Sequence, residues 1–196
     1  MLRGTSIVIL FRLYLNWMIF FAINRLVFLL YNRDMLVSID TLEIVNSFFA
    51  AASLDTSMAC YLMIVPFLFL SIAFFKPYRW IIPVIRGYQI VFMFVISIIY
   101  SSELELFREW GTKLNYKALL HAAHPSEIYA ITSDKVLFLS IGNIIMQTTI
   151  GTLLTIKTIR PSTLTKTPPL LLAASSCIVL PGVLFLGLRG GINPIP

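Results

Sequence analysis

Charge is scarce in this chain. Asp, Glu, Lys and Arg make up 12% of its 196 residues and apolar types 58%, against about 25% and 45–50% in soluble domains. An ordinary soluble domain is excluded. The net charge of +6 comes without a Lys/Arg block or a basic–aromatic strip, so nucleic acid is not the expected partner. Cysteine is limited to Cys60 and Cys177. Each lies inside an apolar run and reads as a small packing residue, so a disulfide framework is not expected. The chain also lacks a G-x-S-x-G elbow, an H-E-x-x-H pair and a P-loop. A Lys and an Arg-Pro in K-T-I-R-P do not have the spacing of a membrane phosphatase signature, and the segment offers no active site of its own.

What the chain has in quantity is long apolar runs, with a mean hydropathy of +0.88. Five approach the roughly 20 residues that cross a bilayer, at 7–31, 58–75, 80–100, 136–156 and 169–188. They are continuous rather than alternating, and a lipid-facing chain has only helix or closed barrel available. The expected fold is therefore an all-α, multi-pass membrane domain over 1–188, with short interfacial helices. No internal repeat is visible. In the first run Arg12, Asn16 and Asn24 recur at intervals of four and eight. This is a polar stripe turned toward other helices, with Arg12 and Arg25 near the run's ends as snorkelling anchors.

Orientation follows from Lys and Arg in short loops. K-P-Y-R after the second run, and the stretch holding Lys157, Arg160 and Lys166 after the fourth, are basic and belong inside, as does Arg3. Every acidic residue falls in the other two connections: Asp34, Asp40, Glu43 and Asp55 in loop one (32–57), and Glu103, Glu105, Glu109, Glu127 and Asp134 in loop two (101–135). The expected topology is N-terminus inside and C-terminus outside. In loop one Leu42, Val45, Phe49 and Ala52 trace the apolar face of a helix that Asp40 or Thr41 caps. That helix either lies in the interface plane or packs against the spans.

Loop two carries the candidate site. Arg108, Lys113 and Lys117 form a basic set suited to a phospholipid headgroup, or to plain interfacial anchoring. Trp110, Tyr116 and Tyr129 suit the headgroup layer, and Gly111 marks a turn. His121, His124 and Glu127 recur at threes, but Pro125 breaks the helix that would align them as metal ligands. His124 is kept with Arg108, Trp110, Lys113 and Lys117 as an interface candidate. No residue is assigned a catalytic or metal-binding role.

Three stretches carry a family resemblance: E-W-G-T-K-L-N at 109–115, H-P-S-E at 124–127 and L-R-G-G-I-N-P at 188–194. With A-S-L-D-T-S-M-A-C-Y-L-M-I-V-P in the second run, they resemble the amino-terminal membrane domain of lipoteichoic-acid-synthase-like phosphoglycerol transferases and sulfatases. These belong to the alkaline phosphatase superfamily, and the likeness is to the Bacteroidetes type. The resemblance implies a multi-pass protein of the bacterial inner (cytoplasmic) membrane, with membrane lipids as partners. It also implies an extracytoplasmic catalytic domain, holding a threonine nucleophile and a divalent metal such as manganese, that follows 189–196 with Gly190 and Gly191 as hinge. Such an enzyme transfers or hydrolyses phosphoglycerol, phosphate or sulfate esters. None of its catalytic residues has a counterpart here, so the chain is expected to be a fragment whose role is anchoring and lipid presentation. The competing expectation is a self-contained polytopic scaffold or transporter subunit without enzymatic activity.

Overall fold

The computed structural model describes residues 6–35, 39–75, 78–111, 116, 133–159, 182, 185 and 187. Among them the protein is built of helices, with no strand. Four helices are long and apolar enough to span a membrane: α1 (Ser6–Tyr31), α2 (Thr41–Phe75), α3 (Ile81–Trp110) and α4 (Asp134–Thr158). A single 3-10 turn, Arg33–Met35, follows α1. Most of the fifth expected run lies outside the described residues; Gly182, Phe185 and Gly187 are helical.

Two helices are longer than their hydropathy suggests. The amphipathic segment of loop one is not a separate interfacial helix. It is the start of α2, which runs 35 residues without a break, because no Gly or Pro interrupts it before Pro66. Its first turn closes when the amides of Glu43 and Ile44 donate to the Asp40 carbonyl. Pro66 is buried mid-helix, a position that membrane helices tolerate. α3 likewise continues ten residues past Tyr100, through S-S-E-L-E-L-F-R-E-W. It stops at Gly111, whose left-handed φ of 64° lets its amide reach back to the Phe107 carbonyl; only glycine adopts that cap without a Cβ penalty. Pro83 sits in the first turn of α3, where its missing N–H has no intrahelical partner to lose. In α4 the Ser133 side chain accepts from the Val136 amide, and Asp134 complements the positive end of the helix dipole.

α1 runs antiparallel to α2 and to α4, and α3 packs antiparallel on α4 in the most extensive interface. The apolar core gathers Leu13, Trp17 and Phe20 of α1, Leu70 of α2, and Ile81, Ile85 and Met93 of α3. Trp17 stacks on Phe21 at 5.7 Å and meets Phe20 edge-on at 5.8 Å. The polar stripe on α1 is confirmed in part: Asn16 and Asn24 are buried, as is Asn32. Arg12 is exposed instead, as expected of a cation that can extend along the helix toward water.

Candidate functional site

The polar chemistry of the bundle concentrates where α1 and α3 end. A half-open cleft of about 290 Å³ lies there between α1, α3 and α4, near the lower limit of ligand-sized sites. Its walls are mainly apolar: Val27, Leu104, Phe138, Leu139 and Met146. Its polar points are few. Asn143, Tyr31 and Glu105 line it, and Ser101 donates to the Ser140 carbonyl at 3.0 Å.

The Tyr31 hydroxyl donates to the Glu105 carboxylate, tying the last turn of α1 to α3. Arg108, one turn further on, lies over the Tyr31 ring at 5.6 Å, close enough for a cation–π attraction. Phe28 and Phe107 meet edge-on at 5.0 Å just beneath, which fixes the separation of the two helices. The guanidinium of Arg108 is exposed and stands near the negative end of the α3 dipole, a favourable place for a cation.

A second charged contact lies at the same end, on the α2 side. Arg25 pairs with Asp55 at 3.0 Å, the two side chains being 18% and 14% exposed, and covers the Phe48 ring at 5.5 Å. It therefore does not anchor by snorkelling alone; its charge is matched across helices. Two residues after Asp55, Ser57 donates to the carbonyl of Gly187 at 3.0 Å. A Cβ at Gly187 would collide with Cys60 Sγ, so glycine is what admits this close approach.

Of the site residues expected from sequence, Arg108 and Trp110 fall together on the last turn of α3, both exposed. Lys113, Lys117, His124, Gly190 and Gly191 lie outside the described residues. Sequence reasoning missed Tyr31, Glu105 and Asn143. A signal was present for one of them: Glu105 and Arg108 are three apart in a stretch with no helix breaker, which places them on one helical face. Tyr31 and Asn143 become part of the site only through tertiary contact. No group of metal-ligating side chains occurs among the described residues. Compared with protein families, curated proteins and solved structures, the chain matches none.

Proposed function

We propose that this protein binds a membrane lipid in the cleft, with the headgroup at Tyr31, Glu105 and Arg108 and an acyl chain along the apolar wall. The single observation that carries this reading is a half-open, mainly apolar cleft lined by the Tyr31–Glu105 pair, with the exposed Arg108 over the Tyr31 ring beside it. Charge-assisted hydrogen bonds from Arg108 suit a phosphate, and the mainly apolar wall suits an acyl chain.

The wider setting is part of the same proposal. The chain spans the bacterial inner membrane five times, N-terminus inside, and its C-terminal end leaves on the outer side. The contact of Gly187 with Ser57 of α2 supports a further helix packed on the bundle. In the lipoteichoic-acid-synthase-like setting that the sequence motifs suggest, such a domain anchors an extracytoplasmic transferase or sulfatase and presents its lipid. Any divalent metal would belong to that catalytic part.

Gly142 provides the test. It lines the cleft, and a Cβ there would meet nothing within 4 Å. Gly142→Leu is expected to fill the cleft, and Gly87→Leu, equally open but away from the cleft, serves as control. Native mass spectrometry of protein extracted in mild detergent should show a retained phospholipid on the wild type and on Gly87→Leu, but not on Gly142→Leu. Equal retention by all three would refute the cleft as the lipid site.

A further inference from the structure

Beneath the cleft the same three helices bury a set of amide side chains that lack partners. Gln89 of α3 is fully buried, and neither its amide nitrogen nor its oxygen has a hydrogen-bond partner. Asn16 donates to Thr155 Oγ1 at 3.2 Å but its own Oδ1 has no donor. Asn24 donates to the Phe20 carbonyl, and Gln147 to Asn143 Oδ1 at 3.1 Å; the oxygens of both are again without a donor, as is the Asn143 nitrogen without an acceptor. Asn16, Asn24, Gln89 and Gln147 are each at most 2% exposed.

Their register is regular. α1 presents Asn16, Phe20 and Asn24; α3 presents Gln89, Met93 and Ser97; α4 presents Gln147, Gly151 and Thr155, each at steps of four. The central layer is tight. Met93 Sδ and Phe20 Cε2 stand 2.7 and 3.1 Å from where a Cβ at Gly151 would lie, so any larger residue there would force Met93 to shift. On the Ser6 side of this layer stand Asn16, Gln89 and Thr155; on the Tyr31 side stand Asn24, Ser97 and Gln147. Asn143, bonded to Gln147, lines the cleft, so the Tyr31-side layer is continuous with it.

We propose that this three-helix seam is an internal water-binding site, with water at the Asn16–Gln89–Thr155 layer and at the Asn24–Gln147 layer on either side of Phe20, Met93 and Gly151. A buried amide without a partner is costly, more so where lipid surrounds the helices. Several such groups converging between three helices supply the two to four partners that an internal water requires. Neutral amides suit water better than an ion, since α3 carries no carboxylate or cation between Arg86 and Glu103. The seam does not depend on what the cleft binds.

Two buried methionines make the test internal. Met93 lies in the seam, whereas Met63 belongs to the apolar core and is also buried. Short X-ray pulses generate hydroxyl radicals from bound water in place, and oxidation of a buried methionine then reports water beside it. With the full chain in lipid nanodiscs, Met93 is expected to oxidise at least tenfold faster than Met63, within a factor of about ten of the exposed Met35. Gln89→Leu should slow Met93 oxidation several-fold and leave Met63 unchanged. Thr155→Val, which alters the same layer from α4, gives a second reading if the first variant does not fold. Wild-type Met93 oxidising no faster than Met63 would overturn the proposal.

Discussion

α2 and α4 both pack antiparallel to α1, yet they do it with different chemistry. α2 buries Ala59, Leu62, Met63, Leu70 and Ala73, and adds one matched charge, Asp55. α4 buries only Gln147, Gly151 and Thr155. The contrast teaches what association in lipid requires. Acyl chains are as apolar as leucine, so burying leucine there gains fit rather than escape from water. α2 relies on that fit and on an ion pair. α4 relies on a glycine that lets three helices close up, and on hydroxyl and amide groups that bond across them.

Three substitutions sharpen the contrast, each read as unfolding free energy by SDS titration from mixed micelles. The largest effect is expected for Asp55→Ala, which leaves Arg25 without its partner in a mostly enclosed site and should cost about 3 kcal/mol. The double variant Arg25→Met with Asp55→Ala should recover most of that loss, because no uncompensated charge remains. If the double variant is as unstable as the single one, the ion pair is not what fastens α2. Gly151→Val comes next: the added methyl groups meet Met93 and Phe20, and overpacking of this kind costs about 2 kcal/mol. Gly87→Val, facing open space, is the matched control and should stay near wild type. The smallest effect is expected for Thr155→Val, which keeps the shape and removes the acceptor of Asn16; interhelical hydrogen bonds in membranes average about 0.6 kcal/mol. A loss above that of Gly151→Val would mean that α4 is held by hydrogen bonding more than by close approach.

How far the fold is readable depends on which signal is used. Hydropathy locates α1 to within a residue, since its apolar run and its helix coincide. It fails at the start of α2 and the end of α3, because hydropathy marks what can enter hydrocarbon, whereas helix ends are marked by Gly, Pro and caps. Glu43, Asn46 and Asp55 make 41–57 look like a loop, but nothing in that stretch stops a helix. Gly111 does stop one. The candidate site is legible in the same partial way. Arg108 and Trp110 are visible as polar and aromatic residues next to an apolar run. Tyr31 and Asn143 are not, since their role comes from helices far apart in the chain meeting at one end. Asn16 and Asn24 were readable from periodicity alone, while Gln89 and Gln147 sit singly in apolar stretches and gain meaning only when the three helices are aligned.

The unbroken length of α2 has a mechanical consequence. At 1.5 Å per residue its 35 residues extend about 52 Å, against a hydrocarbon layer of about 30 Å. Tilting alone would need about 55°, beyond the 0–40° seen in membrane helices, so one end stands clear of the hydrocarbon as a stiff mast. Because that mast is one piece with the span, a change of tilt inside the membrane swings its tip sideways. Twenty degrees of tilt over the roughly 20 Å that project displaces the tip by about 7 Å. Leu42 and Phe49, exposed near that tip, therefore move with the lipid-embedded helix as the end of a lever.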